Sequence, residues 1–444
     1  MNIVTAKPRV RLPRQVRILA AARAVNQLGA FSLAFLTVLM SRDLGASLHT
    51  AGAVSAMFGL ATIPSRLLGG RLADRLGRRR TILTGLAGCA AAQLGIAAAP
   101  GPAVAAGCAV LLGLAFELYE PPSQAMIADA TRPAPDERGP AYALLTTALA
   151  VGNMGAGLIA AAVGRSSLRW LFVVDAASCL GCALIVYLGL PDDRRVPPLP
   201  ARRPGHGGPR DSLARGASPW RDPALLAMTA AGTVFAVVSM LMLVGLPLSA
   251  AASGLDPASV GLVMAVGTLT LVLGRPLLRA GPLASLSHPA AAAVGFILLG
   301  TGMAGYAVAH SLTALFAPTV AWAIGNLLLT GRTFAVVAAL APPAATARYL
   351  AVYGLSWGVA TVAAPLLATG LISSLGSPAL WTTGSALCLA MAVVQPWLLR
   401  SITRRRGAVA VHGPAGKPRM RPQASSSSTS VAVRGCHEAV SGSP

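Results

Sequence analysis

The sequence predicts an all-α polytopic membrane protein in which twelve transmembrane helices form two pseudo-symmetric six-helix bundles. Hydrophobic residues make up 55% of the 444-residue chain and charged residues 11%, whereas a typical soluble domain is about 25% charged. So little polar surface cannot keep the chain in water, and most of it must face lipid or other helices. Long apolar runs recur along the sequence, and the second half repeats motifs of the first.

Twelve apolar runs are long enough to cross the hydrocarbon core of a bilayer, which takes about 20 residues as a helix. We assign each run to one membrane crossing. The runs cover residues 18–40, 48–68, 81–99, 102–128, 141–163, 169–190, 224–250, 257–278, 288–309, 311–340, 349–373 and 378–399.

The distribution of arginine predicts the orientation of these spans, because cytoplasmic loops carry an excess of basic residues. With the N-terminus inside, alternate gaps are basic, and they contain Arg71 to Arg80, Arg132, Arg138, Arg275, Arg279 and Arg348. Of the outward gaps, one carries Arg42 balanced by Asp43, and the pair Arg165 and Arg169 is the exception. We therefore expect a multi-pass protein of the bacterial cytoplasmic (inner) membrane with both termini in the cytoplasm.

The spans divide into two blocks of six. Residues 191–222 between them are dense in Pro, Gly and Arg and show no helical periodicity, which is typical of a solvated linker. The predicted organisation is a basic cytoplasmic arm (1–17), a first bundle (18–190), the cytoplasmic linker (191–222), a second bundle (223–400) and a disordered cytoplasmic tail (401–444).

The net charge of +22 does not indicate a nucleic-acid partner. The arginines collect in the tails and in alternate loops, so the charge reflects topology, with some attraction to anionic lipid.

The two blocks repeat at an offset of about 210 residues. Ile127-Ala128-Asp129, Arg138 and Tyr142-Ala143-Leu144 in the first block correspond to Ala339-Leu340-Ala341, Arg348 and Tyr353-Gly354-Leu355 in the second. Parallel six-helix repeats predict a transporter of two halves with its substrate bound between them near the middle of the membrane.

An arginine-rich stretch, residues 70–80, separates the second and third spans. Arginine in the centre of a bilayer costs at least about 2.5 kcal/mol, so we expect a tight loop at the membrane surface. Gly70 and Gly77 suit a hairpin with close backbones and positive φ. Asp74 can cap a helix or hold a neighbouring guanidinium.

The pattern Gly-x-Leu-Ala-Asp-Arg-x-Gly-Arg-Arg in this stretch resembles the signature loop of the major facilitator superfamily of transporters. The resemblance is to the twelve-helix drug:proton antiporter group and covers residues 18 to 400. It implies that the loop holds the two halves together on the cytoplasmic side and takes part in gating. By resemblance these roles fall on Gly70, Asp74, Arg75, Gly77, Arg78 and Arg79.

Ionisable residues inside spans are candidates for function because they are costly there. Glu117 and Glu120 lie three residues apart in the fourth span and are followed by Pro121-Pro122. A carboxyl in a partly dry cavity holds its proton more readily than one in water, so we predict proton coupling or substrate contact for both. The proline pair predicts a kink. The alternative is a structural ion pair with an arginine.

Two arginines complete this set. Arg332 in the tenth span lies, by the repeat offset, at nearly the depth of Glu120, and the two are predicted to form either an exchangeable pair or a fixed brace. Arg23 lies one turn inside the first span, where the alternative is a side chain that reaches back to the interface. Asp175 in the sixth span is expected to pair structurally, and Asp129 is expected to contact the basic loops.

The fifth span contains Gly152-Asn153-Met154-Gly155-Ala156-Gly157. Closely spaced glycines predict tight helix packing, here through Gly152, Gly155 and Gly157. Drug-exporting antiporters of the superfamily usually carry a Gly-Pro step in this motif, whereas Gly155 is followed by Ala156.

We therefore predict a secondary active transporter that exports small amphipathic drug-like or metabolite compounds in exchange for protons, by alternating access. The altered motif in the fifth span leaves open a proton symporter that imports a small metabolite. A more remote alternative is a non-transporting membrane receptor or assembly partner on the same fold, which would need a large folded tail.

No enzyme is predicted, because the sequence has no nucleotide-binding loop, no metal-ligand cluster and no catalytic His or Ser constellation. The spacing Cys179-x2-Cys182 lies inside a span without a second pair, and we interpret it as two small buried residues. We expect no cofactor and no metal. The expected partners are a small-molecule substrate, protons and the lipid bilayer, and the protein is expected to be a monomer.

Overall fold

The computed structural model of the chain describes residues 12–131, 138–191, 219–279, 285–342 and 345–411, and these contain helices but no strand. In chain order the helices are α1 (Arg14–Gln27), α2 (Leu36–Val38), α3 (Leu48–Leu76), α4 (Arg78–Ala97), α5 (Pro102–Phe116), α6 (Glu120–Ala130), α7 (Arg138–Val163), α8 (Arg169–Gly189), α9 (Pro223–Ala252), α10 (Val260–Arg279), α11 (His288–Val308), α12 (Phe316–Leu340), α13 (Thr346–Leu375) and α14 (Ser377–Val411).

The predicted all-α membrane fold is confirmed, but the predicted count of twelve crossings is not fully reproduced. Among the described residues, ten helical segments are long and apolar enough to cross a membrane, or eleven if the bent helix α3 is one span. Helix α4, which begins with three arginines, is not among them. Twelve crossings therefore stay a prediction.

Three spans are interrupted. The first continues beyond α1 as a 3-10 segment (Ser32–Phe35), α2 and a π-helical turn (Leu39–Asp43). Helix α3 bends by 40° between Arg66 and Leu68, directly after Pro64, which removes a backbone hydrogen bond. The fourth span breaks between α5 and α6 at the predicted prolines, which occupy the first turn of α6.

Helix contacts repeat in the two halves of the chain. In the first half (residues 12–191) α4 packs on α5, α3 on α5 and α1 on α7. In the second half (219–402) the equivalent pairs are α11 on α12, α10 on α12 and α9 on α13. This recurrence agrees with the predicted internal repeat. The halves meet through α3 on α13 and α7 on α10.

Polar contacts also join the halves at the end of the molecule where the first span terminates, which we call the Arg42 end. Arg42 donates a hydrogen bond to the carbonyl of Ala251, and Arg165 lies 3.9 Å from Asp256. The opposite end, where α3 meets α4, is called the Gly77 end.

The predicted domain boundaries lie partly outside the described residues. This applies to most of the arm, to residues 192–218 of the linker and to residues 412–444 of the tail. Helix α14 continues through Val411, so the tail predicted from residue 401 begins as helix. Residues up to Ile402 form one compact unit, and those from Thr403 belong to a second.

Candidate functional site

A polar cavity of about 340 Å³ lies within the first half of the chain. Helices α1, α3, α4 and α8 and the break between α5 and α6 supply its walls. Its volume is within the range that holds small molecules. The polar side chains that line it are Arg23, Asn26, Gln27, Arg66, Gln93, Glu117, Tyr119, Glu120 and Asp175.

The two predicted carboxylates flank the break in the fourth span. Helix α5 ends at Phe116 and α6 begins at Glu120. Glu117 and Glu120 therefore do not lie on one continuous helix, in which a spacing of three residues would place them on the same face. Both nevertheless line the cavity. Glu120 lies in the first turn of α6, where the helix dipole favours negative charge.

Glu120 pairs with Arg23 on α1. The guanidinium Nη2 lies 2.7 Å from a carboxylate oxygen of Glu120 and the guanidinium carbon lies 5.0 Å from the centre of the Tyr119 ring. Gln124 donates to the same carboxylate at 2.9 Å. Glu120 is therefore not paired with Arg332 in this conformation, and an exchangeable pair between them stays a prediction. Arg332 donates to the carbonyl of Leu286 at 2.7 Å on the second half.

Glu117 pairs with Arg66, which was not among the predicted site residues. The Nε and Nη2 atoms of Arg66 each lie 3.2 Å from one of the two oxygens of Glu117, which is the bidentate geometry of a strong pair. The backbone N–H of Glu117 also donates to Ser65 at 3.0 Å. An arginine inside a predicted span was the signal that could have identified this partner.

Amide, phenol and thiol groups connect α1 to its neighbours on the cavity wall. The hydroxyl of Tyr119 donates to the Asn26 side chain at 3.1 Å, and Asn26 donates to the sulfur of Cys179 at 3.3 Å. Gln27 donates to Asn153 on α7 at 2.8 Å. These contacts fix the position of α1 beside the cavity.

Asp175 is the buried acid of the cavity wall. It accepts hydrogen bonds from Ser32 at 2.5 Å and from Gln93, and the described residues place no arginine against it. The partners of Asp175 in the described part of the chain are therefore hydroxyl and amide donors.

The signature stretch is more helical than predicted. Helix α3 continues through Leu76, and the turn to α4 is made at Gly77, with φ of 91°. Gly70 lies inside α3, and no atom of a neighbouring element lies within 4 Å of the position that a Cβ would take. Gly70 therefore does not form the predicted hairpin. Asp74 and Arg75 are exposed, and Asp74 neither caps α4 nor bonds to any described residue.

The basic residues after the turn contact the ends of two other helices. Arg78 pairs with Asp129 at the end of α6, which is the contact expected of Asp129. Arg79 donates to the carbonyl of Tyr187 on α8 and lies 5.0 Å from the centre of that ring. The stretch therefore ties α4 to α6 and α8 in this conformation.

The three glycines of the fifth span face other helices at close range. A Cβ on Gly152 would lie 2.6 Å from the Ala24 carbonyl oxygen of α1, and one on Gly155 would lie 2.6 Å from Leu28. A Cβ on Gly157 would lie 2.6 Å from the carbonyl oxygen of Gly261 on α10. This is the geometry expected of a helix-packing motif, and it reaches across the two halves.

Comparisons with known proteins agree with this architecture. The model of the Major Facilitator Superfamily matches residues 19–278. The chain is 26% identical over 399 residues to YhjO of Bacillus subtilis (strain 168), an uncharacterized MFS-type transporter, which covers 85% of this chain and 92% of the relative. It is 32% identical over 217 residues to the puromycin resistance protein pur8 of Streptomyces alboniger, covering 46% and 42%.

Solved structures with the same fold include peptide transporters. The peptide transporter POT in complex with sulfate superposes with a TM-score of 0.71 at 17% identity, over 89% of this chain and 96% of that chain. The POT family transporter PepTSo gives a TM-score of 0.70 at 15% identity, over 89% and 99%. At these identities the likeness shows the fold alone.

Proposed function

The chain belongs to the Major Facilitator Superfamily, and from that premise we propose that it exports small amphipathic compounds in exchange for protons by alternating access. Membership makes it a multi-pass membrane transporter and not an enzyme. The direction of transport, the substrate class and the coupling ion are the parts that we propose.

The observation that carries the proposal is the pairing of Glu120 with Arg23 on the cavity wall. One carboxylate can be neutralised by Arg23, by a proton or by a cationic amine, and these compete because they occupy the same oxygens. An amine that binds Glu120 must therefore release a proton or displace Arg23. This competition is the elementary step of proton-coupled exchange, and Glu117 with Arg66 offers a second such pair 3.2 Å apart.

The contacts between the halves support a conformation that opens at the Gly77 end. Arg42 with Ala251 and Arg165 with Asp256 join the halves at the other end, while Arg66, on the Gly77 side of the cavity, is 63% exposed. With both termini in the cytoplasm, this is the inward-facing state. We propose that the exposed Asp74 and Arg75, together with the half-buried Gly70, contact the second half when this end closes.

Two observations support an amphipathic cation as substrate. The cavity volume suits a compound of a few hundred daltons, and its two glutamates present the negative charge that an amine requires. The relationship to a puromycin resistance protein gives puromycin, an amphipathic amine, as the first compound to test.

The test uses everted membrane vesicles that contain the protein and a pH-sensitive dye. With an inside-acid gradient imposed, puromycin should dissipate the gradient in these vesicles and not in vesicles without the protein. Glu120→Gln should abolish the effect at the same protein level, whereas Asp43→Asn, which removes an exposed carboxylate at the Arg42 end, should not.

Two outcomes would count against the proposal. If metabolites under a reversed gradient drive proton movement and amphipathic cations do not, the chain is an importer that works by proton symport. If Glu120→Gln transports normally with protons, Glu120 has no part in coupling.

A further inference from the structure

A third acidic group of the cavity is more deeply buried than the two glutamates and has no role in the exchange proposed above. Asp175, in the first half of α8, is 6% exposed. The turn after α1 approaches it so closely that a Cβ on Gly29 would overlap its side chain. It accepts hydrogen bonds from Ser32 at 2.5 Å, from Gln93 and from Ser178 at 3.3 Å.

The charge of this carboxylate is not balanced by any described cation. Arg23 pairs with Glu120 and Arg66 with Glu117, while Arg169 donates to the carbonyls of Ala97 and Ala99. The thiol of Cys179 lies 3.9 Å from its carboxylate. The other titratable groups that line the same cavity are Cys89, Tyr119, the Arg23–Glu120 pair and the Arg66–Glu117 pair. A buried carboxylate without a cation is costly, and uptake of a proton removes that cost.

Gln93 is arranged so that it can serve both forms of the acid. Its Nε2 donates to the carboxylate, while its Oε1 is buried without a partner among the described residues. A protonated carboxyl becomes a donor, and rotation of the amide by half a turn would then offer Oε1 as the acceptor. The same two side chains therefore accommodate the charged and the neutral acid.

The position of Ser32 connects this acid to the second half. Ser32 begins the 3-10 segment Ser32–Phe35, which interrupts the first span, and this segment packs on α9. The short hydrogen bond from Ser32 to a charged carboxylate is a strong one, and it weakens when the carboxylate is neutralised. Protonation of Asp175 thus changes the restraint on a segment that touches the other half.

We propose that Asp175 is a proton-binding site separate from Glu117 and Glu120, and that its protonation loosens the segment Ser32–Phe35 from α9. The link to transport rests on the proposed proton coupling, but binding of the proton at Asp175 does not. As a two-state element, the segment would bias the equilibrium between the two orientations of the halves.

The experiment uses the purified full-length protein in lipid nanodiscs, with no substrate. Infrared difference spectra between acid and alkaline pH should contain a band of a protonated, hydrogen-bonded carboxyl, which Asp175→Asn removes and the matched exposed variant Asp43→Asn retains. Gln93→Met should move the frequency of that band, because the protonated carboxyl loses its acceptor. This variant also tests the proposal if Asp175→Asn fails to fold.

Hydrogen exchange reports the segment directly. After correction for the intrinsic pH dependence, amides of residues 32–43 should exchange several-fold faster at acid pH in the wild type. In Asp175→Asn, which resembles the neutral acid, they should exchange fast at both pH values. Ser32→Ala should retain the infrared band and exchange fast at both pH values.

The proposal is overturned if the band keeps its full amplitude in Asp175→Asn, or if exchange of the segment does not respond to pH in the wild type. A dependence of either signal on sodium instead of choline would mean that the site binds a metal cation. Failure of puromycin transport with an intact Asp175 band would refute only the proposed function, whereas proton-coupled transport without that band would refute only this inference.

Discussion

The ion pair of Arg23 with Glu120 makes a quantitative prediction. The two side chains are 2.7 Å apart and 14% and 32% exposed, so the pair is neither fully buried nor on the surface. Breaking a buried pair costs about 3–5 kcal/mol, whereas an exposed pair contributes about 0–1 kcal/mol. We expect an intermediate coupling energy, about 1–2 kcal/mol, from the double-mutant cycle of Arg23→Gln and Glu120→Gln.

The assay measures the free energy of unfolding of the purified protein in mixed micelles, by titration with a denaturing detergent. The cycle of Arg66→Gln and Glu117→Gln serves as the matched comparison, because it has bidentate geometry but an arginine that is 63% exposed. Screening by solvent should hold its coupling energy to about 1 kcal/mol or less.

A third cycle decides between the structure and the sequence prediction. Arg332→Gln with Glu120→Gln should show no coupling, because Arg332 lies against Leu286 in the second half. Coupling in this cycle, together with none between Arg23 and Glu120, would refute the geometry that we describe. Equal coupling in the Arg23 and Arg66 cycles would refute the argument from exposure.

Two further predictions concern packing and the signature stretch. Gly157→Val should lower stability by about 1–3 kcal/mol and slow transport, because its Cβ would lie 2.6 Å from the carbonyl oxygen of Gly261. The control Gly107→Ala, where the space around the glycine is open, should do neither. Equal effects of the two variants would mean that the α7–α10 contact is not tight. Asp129→Asn should lower stability by about 1 kcal/mol through the loss of its pair with Arg78. Asp74→Asn should leave the unfolding midpoint unchanged. If Asp74→Asn is the more destabilising of the two variants, Asp74 has a partner in solution.

The fold was predictable because its main determinants are local. An apolar run of about 20 residues and an arginine-rich gap can each be recognised from a short stretch of sequence, without knowledge of tertiary contacts. The break in the fourth span was predictable for the same reason, since two consecutive prolines lack the backbone N–H groups that a helix interior needs and are best accommodated in a first turn, where Pro121 and Pro122 lie. The turn between α3 and α4 required a residue that tolerates positive φ, and Gly77 is the glycine between two helical runs.

The partners of the charged residues were not predictable, because they depend on how each helix is rotated and bent. The repeat offset placed Arg332 at the depth of Glu120 but could not show that Arg23, on an adjacent helix, is closer. Asp175 was expected only to pair structurally. It lines the cavity because α8 packs on the turn after α1 at Gly29, a contact that no local pattern records.

The contact of Gly157 with Gly261 divides α7 into two arms of unequal length. Gly157 lies nineteen positions after Arg138, the first residue of α7, and six positions before Val163, the last. At a rise of 1.5 Å per residue, these arms measure about 28 Å and about 9 Å, so a rotation of about 10° around the contact moves the long arm by about 5 Å and the short arm by about 1.5 Å. A small displacement at the Arg42 end, enough to break a hydrogen bond, therefore corresponds at the Gly77 end to a displacement about three times larger, which opens a gap for a small molecule.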